Sequence, residues 1–299
     1  MKNLYSQCTL CPRECGVDRL SGEVGFCGKT AKLSLARAAL HMWEEPCISG
    51  EEGSGTVFFS GCCLRCVYCQ NREIAIGDSG KGVDDSRLCE IFLELQAQGA
   101  NNINLVTPTH YLPHIVEALR AAKNSGLKIP VVYNTGGYEK VESLRLLEGL
   151  VNVYLPDFKY FSVDLGKSLS FAPDYAEIAK KSMAEMVRQV GKPVFDTRGM
   201  IKKGVIVRHL VLPNQVEDSK RVLEYLYETY GNDIFISIMS QYTPLEAMNC
   251  HPYLSRKLTA EEYDEVVDFA VDLGIENGFL QEGEAAEESF IPPFDNSGV

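Results

Sequence analysis

No stretch of this sequence approaches the run of ~18 apolar residues that a membrane-spanning helix needs, so no such helix is expected. Nor is there a basic block. The chain carries 29 Lys and Arg against 41 Asp and Glu, a formal charge of −12, and nothing in the pattern would track a phosphate backbone. Neither nucleic acid nor a membrane is therefore an expected partner. The opening residues, MKNLYSQCTLCPREC, lack the apolar core of a secretory signal, which makes the cytoplasm the expected location. No internal repeat or low-complexity tract interrupts the 299 residues, a length that suits one large domain with an appendage or two small domains.

What the sequence has is cysteine, 11 residues in all. In a cytoplasmic chain of this size that number points to metal or redox chemistry rather than a disulfide scaffold. Two groups stand out: Cys8, Cys11, Cys15 and Cys27, then Cys62, Cys63, Cys66 and Cys69. Cys47, Cys89 and Cys250 are scattered and read as small buried hydrophobes.

From residue 51 onward, short β-rich runs at 55–60, 102–106, 129–134, 151–157, 204–212 and 233–239 alternate with helical periods. The helices are expected near 84–98, 110–124, 138–149, 173–190, 218–230 and 259–273, the last opened by the capping-box pattern of Thr259 and Glu262. Such alternation predicts a parallel sheet covered on both faces, an α/β fold read as a partial (β/α)6 barrel of the TIM type. Chemistry in such folds gathers where strands end. Residues 1–50 lack the alternation and read as a small cysteine-rich, metal-binding extension, with residues 51–299 as the core and its C-terminal extension. The acidic stretch 281–288 reads as a solvated tail.

Cys62, Cys66 and Cys69 form CxxxCxxC directly after the first run. Three thiolates from one loop can hold three irons of a cubane cluster and leave the fourth open. The register Cys63, Cys66, Cys69 is an alternative with ferredoxin-like spacing, and a structural zinc is the plainer one, although zinc takes four closed ligands and no histidine is near. The four N-terminal cysteines fit either a structural zinc or a second iron–sulfur cluster.

The motif, with Tyr68 just before its last cysteine, resembles the radical S-adenosylmethionine (radical SAM) superfamily. CCLRCVYCQN is similar to the branch related to pyruvate formate-lyase activating enzyme. The stretches at 8–27, NLVTPTHY (104–111), YLPDFKY (154–160), VRHLVLPN (207–214) and ISIMSQYTP (236–244) extend the resemblance over nearly the whole chain. It implies a 4Fe-4S cluster on Cys62, Cys66 and Cys69, with the open iron chelated by SAM. Cleavage of SAM would give a 5′-deoxyadenosyl radical that takes hydrogen from a substrate. That substrate would be a glycine of a partner glycyl radical enzyme or, alternatively, a small molecule or peptide, with flavodoxin or ferredoxin as electron donor. A noncatalytic electron-transfer protein is the reading from another class.

The resemblance also places Tyr68 near the adenine. Many members end the second strand with a glycine-rich acidic segment, where this chain has Thr107, Thr109 and His110. Hydroxyls or carbonyls there are expected to take over the contact, with His110 either a ligand neighbour or the start of a helix. Asn134 and Thr135 follow the third run, as ligand contacts or as part of a turn. Asp157 and Lys159 share one face at the fourth strand end, a cofactor-side pair or a solvated one. Arg208 and His209 interrupt the fifth strand, and one of the two must face the interior, near the SAM carboxylate or ribose. Gln241 and Tyr242 line the substrate mouth or cap a loop.

Overall fold

A computed structural model describes residues 1–77, 79–245, 252–281 and 291–299. Cys250 and all but the first residue of the acidic stretch lie outside the described residues. The chain runs β1 (Ser34–His41), α1 (Pro46–Ser49), β2 (Ser54–Phe59), α2 (Arg72–Ile76), β3 (Lys81–Gly82), α3 (Asp85–Ala97), β4 (Ile103–Val106), α4 (Leu112–Asn124), β5 (Val131–Thr135) and α5 (Val141–Arg145). It continues through β6 (Val153–Pro156), α6 (Val163–Ser170), α7 (Tyr175–Val190), β7 (Val194–Phe195), β8 (Ile201–Leu210), α8 (Val216–Tyr230), β9 (Phe235–Met239), α9 (Ala260–Leu273) and β10 (Gly278–Leu280).

Strands β2, β4, β5, β6, β8 and β9 pair in that order, all parallel, and β10 extends them on one side. On the other side β1 pairs antiparallel with β2, and β3 pairs with β1, so the sheet curls but does not close. This is the expected α/β partial barrel. Every residue of β2, β4 and β6 is buried, because the helical layer covers one face and the barrel interior the other. That double burial is why these strands read as continuous apolar runs.

The sheet crosses the residue-50 boundary, since β1 registers along β2 from Leu35 opposite Phe59 to His41 opposite Ser54. After it, α1 plugs the barrel interior: Cys47 and Ile48 pack with Val132, Val153, Leu155 and Ile206. Residues 1–33 form a compact cap of turns. Arg19 ties it down from a buried position, donating to the carbonyls of Lys29 (3.1 Å), Thr30 (2.7 Å) and His110 (2.7 Å). The last residues lie along β1, with Asn296 N donating to Ala36 O at 3.0 Å and Ala38 N to Ser297 O at 2.9 Å, which covers backbone that an edge strand would leave open. Among the described residues no helix is long and apolar enough to cross a membrane.

Candidate functional site

The cysteine loop follows β2 and is pressed onto the cap. At Gly61 an added Cβ would lie 2.8 Å from the Cys27 carbonyl oxygen, and φ is +96°, so only glycine lets the two segments meet here. Arg13 reaches over from the cap and donates to Cys63 O (2.8 Å), Ser170 O (2.7 Å) and Phe171 O. The loop is thereby clamped to the C-terminal end of α6, where Val67 N also donates to Leu169 O at 2.9 Å.

Cys62, Cys66 and Cys69 line one cavity of about 280 Å³ at the C-terminal ends of the parallel strands. Tyr68, Thr107, Thr109, Asn134, Thr135, Asp157, Lys159 and Arg208 line it as well, so the structure brings the three loop cysteines together with most of the strand-end residues singled out from the sequence, but not with Cys8, Cys11, Cys15 or Cys27. Lys159 Nζ pairs with Asp157 Oδ2 at 2.5 Å. Burial pulls the Lys159 ammonium down, but Asp157 and the neighbouring Tyr68 and Cys66 outweigh it and hold the group above the ordinary lysine value. Thr107 has φ +57°, a left-handed conformation that a β-branched residue adopts only under strain. Its N–H donates to Asn134 O at 2.9 Å, which fixes the turn at the cavity wall.

Arg208 faces the interior, as one of the adjacent pair had to, but its guanidinium is committed to protein carboxylates. It donates twice to Glu45, at 2.8 and 2.6 Å, and also to Glu44. Asn104 Nδ2 donates to the other Glu44 oxygen at 2.9 Å. These groups form a buried ionic floor, in which Arg208 overcomes the effect of burial and holds the Glu45 carboxyl below the usual range. His209 is turned away from the cavity, with Nδ1 donating to Phe158 O at 2.7 Å. His110 sits in a short 3-10 turn ahead of α4, and its Nε2 donates to Ser60 O at 2.7 Å. Burial, reinforced by Arg19, pushes its imidazole down to about 3. Gln241 lines the mouth, whereas the Tyr242 hydroxyl is tied to Leu254 O at 2.6 Å.

Several residues at the site were not singled out from the sequence. Glu139 is buried just beyond β5 and accepts from Thr109 Oγ1 (2.5 Å) and from Thr135 Oγ1. Burial pushes its carboxyl up to about 8, against the pull of the two hydroxyls. Each threonine spends its one hydroxyl proton on Glu139, so each can offer only lone pairs elsewhere. The signal in the sequence was an acid two residues after a double glycine at a strand end. Glu44, Tyr160 and Ser170 gave no local signal at all.

The donor set at the loop fits a cluster. A single zinc ion needs its sulfurs within about 4 Å of one another, given Zn–S bonds near 2.3 Å. A cubane attaches each thiolate to a different iron, which three cysteines of one loop facing one cavity can supply while leaving the fourth iron open. Cys63 lies beside both Cys62 and Cys11, and its one S–H, available to either sulfur, holds the Cys62 thiol below its ordinary value. Burial, with Cys66 and Cys62 nearby, pushes Cys69 up to about 12.

The four N-terminal cysteines lie in the cap, with Cys8 and Cys11 close enough to act on the Cys27 thiol. Cys8 Sγ accepts from Arg19 (3.7 Å), Cys11 meets Cys63, Cys15 Sγ accepts from Phe26 N (3.2 Å), and Cys27 faces Lys29 O (3.9 Å).

Residues 56–226 match the family model for the radical SAM superfamily. The chain belongs to that superfamily. An uncharacterised protein of Methanocaldococcus jannaschii is 30% identical over 280 residues, covering 90% of this chain and 75% of its own. Two solved structures align at lower identity. SuiB of Streptococcus suis bound to S-adenosylmethionine gives a TM-score of 0.51 at 15% identity, covering 75% of this chain and 49% of SuiB. The FeFe-hydrogenase maturase HydG gives 0.52 at 14%, covering 77% and 52%. The chain thus spans about half the length of these two structures, and they speak for the fold alone. Membership of the radical SAM superfamily implies a 4Fe-4S cluster and SAM.

Proposed function

We propose that Cys62, Cys66 and Cys69 hold the 4Fe-4S cluster of a radical SAM enzyme and that the cavity they face receives SAM. The observation that carries this reading is the convergence of three cysteines from one loop and the polar strand ends on a single cavity. When bound, cluster and SAM supply reductive cleavage of a carbon–sulfur bond and abstraction of hydrogen. The protein's part is to bind, orient and exclude water. Thr109 and Thr135, held as acceptors by Glu139, suit a donor such as the ammonium of SAM. The Asp157–Lys159 pair offers both charges at the rim, and Asn134 and Tyr68 complete the wall. Arg208 serves through the floor it forms with Glu44 and Glu45 rather than through a free guanidinium.

The acceptor we propose is a backbone glycine of a partner protein, supported by the likeness of CCLRCVYCQN to the activating-enzyme branch, with a flavodoxin or ferredoxin as electron donor. The test is 5′-deoxyadenosine formation by anaerobically reconstituted, reduced protein, with iron, sulfide and zinc measured together. Wild type forms it, and the variant with Cys62, Cys66 and Cys69 all replaced by alanine loses the cluster at that loop and the product, while any metal on Cys8, Cys11, Cys15 and Cys27 remains. Full product from that variant would sink the assignment. A glycyl-radical signal on a co-incubated glycyl radical enzyme would support the acceptor, and deoxyadenosine without such a signal on any candidate would count against it.

A further inference from the structure

Cys66 Sγ lies 2.9 Å from Ser170 Oγ, and both residues are buried. Ser170 Oγ is in turn 3.0 Å from the Tyr160 hydroxyl, and Tyr160 donates to the Tyr68 hydroxyl at 2.5 Å. The chain of four groups runs from a sulfur of the cysteine loop to a residue of the cavity wall. Its position is held firmly. Ser170 is the last residue of α6, and the following Phe171 takes a left-handed turn at φ +54°. Arg13 donates to the carbonyls of both, satisfying acceptors that a helix end leaves open.

Each hydroxyl in such a chain has one proton to give, so the direction of one bond sets the direction of the next. With Cys66 as a thiol, its proton can go to Ser170, that of Ser170 to Tyr160 and that of Tyr160 to Tyr68, the sense in which the last bond is seen. A ligand thiolate has lost its proton to solvent on metal binding and can only accept. The chain must then run the other way: Tyr68 to Tyr160, Tyr160 to Ser170, Ser170 to the Cys66 sulfur.

We propose that Tyr68, Tyr160 and Ser170 form a hydrogen-bond relay that reverses when Cys66 becomes a ligand and sets the reduction potential of the cluster. The proposal rests on the ligand reading given above. Hydrogen bonds to cluster sulfurs withdraw charge and favour the reduced state, so the relay raises the potential. It also leaves the Tyr68 oxygen with only lone pairs for the cavity. Ser170, Tyr160 and Tyr68 act here as positioning residues through the sulfur.

The test is a potentiometric titration, followed by electron paramagnetic resonance, of the reconstituted holoprotein and its Ser170→Ala, Ser170→Thr and Tyr160→Phe variants. Ser170→Ala moves the midpoint to a more negative value, Tyr160→Phe moves it the same way by less, and Ser170→Thr restores it. An unchanged midpoint in Ser170→Ala at full iron content overturns the relay. Should Ser170→Ala fail to hold a cluster, Tyr160→Phe, which leaves the serine beside the sulfur, decides alone: a wild-type midpoint there overturns the proposal. Iron content in Cys66→Ala separates the two claims, because retention of the complete cluster would refute the ligand reading rather than the relay.

Discussion

Glu139→Gln should make the protein less sensitive to alkali. In the folded chain burial raises the Glu139 carboxyl from 4.5 to about 8, so it is protonated at neutral pH and accepts from Thr109 and Thr135. Below 4.5 the group holds its proton whether the chain is folded or not, and stability does not depend on its titration. Between 4.5 and about 8 only the unfolded chain releases the proton, so stability falls by roughly 1.4 kcal/mol for each pH unit. Across the whole window that amounts to about 5 kcal/mol, and from about pH 6 to pH 8, as the folded group begins to titrate, about 2 kcal/mol. Glutamine keeps an acceptor oxygen for both threonines and has no proton to lose. Urea denaturation of wild type and variant, prepared anaerobically under one reductant, measures the difference while contributions from other groups cancel. Wild type is expected to lose about 2 kcal/mol relative to Glu139→Gln over that interval. Parallel stability–pH curves would refute the reasoning, because they would mean that Glu139 ionises at its ordinary value and is not held between the two hydroxyls as a neutral acid.

Arg208→Met leaves Glu44 and Glu45 buried without their counter-charge and should cost ~3–5 kcal/mol in denaturant unfolding, with most of it recovered when Glu44 and Glu45 are also changed to Gln. Gly137→Ala would bring a Cβ to 2.1 Å from Asp157 O at a φ of +77°. A loss above ~2 kcal/mol is expected by the same assay, together with weaker SAM binding as the Asp157–Lys159 pair shifts. Arg13→Ala removes the donors that hold the cap to Cys63, Ser170 and Phe171, and limited proteolysis within residues 1–33 should accelerate roughly 5- to 30-fold, equivalent to ~1–2 kcal/mol. Unchanged cleavage would show that the cap is held by other contacts.

The regular part of the barrel was legible because local pattern and tertiary setting agree. The run expected at 204–212 is β8, Ile201–Leu210, and the helix expected at 259–273 is α9, Ala260–Leu273, opened by the Thr259 and Glu262 capping box. Elements whose existence depends on distant partners were not legible. β1, SLARAALH, carries Arg37 and His41 and gains its strand character from pairing with β2. α1 is four residues long and exists as a plug in the barrel interior. α6, VDLGKSLS, has a glycine and two serines, yet its Ser162 cap and its packing sustain it. The helix expected at 138–149 shrinks to Val141–Arg145, since the residues before it carry Tyr138 and Glu139 into the site.

The candidate site divides in the same way. Its cysteines and strand-end polar residues could be read because chain order places them after strands, at the mouth. That Arg208 would be neutralised by Glu44 and Glu45, more than 160 positions earlier, could not. The same holds for Ser170, which meets Cys66 across 104 positions. Of Arg208 and His209, alternation said that one must face inward, and the floor carboxylates account for Arg208 being that one.

The most direct test of the account is the electron paramagnetic resonance spectrum of the reduced, reconstituted protein before and after SAM is added. Three-cysteine ligation facing this cavity predicts a cluster signal that SAM changes, and no such signal from the triple Cys62, Cys66 and Cys69 alanine variant. A fully loaded wild-type cluster whose spectrum ignores SAM would contradict it, because no iron would then be open to the cavity that Cys62, Cys66 and Cys69 line.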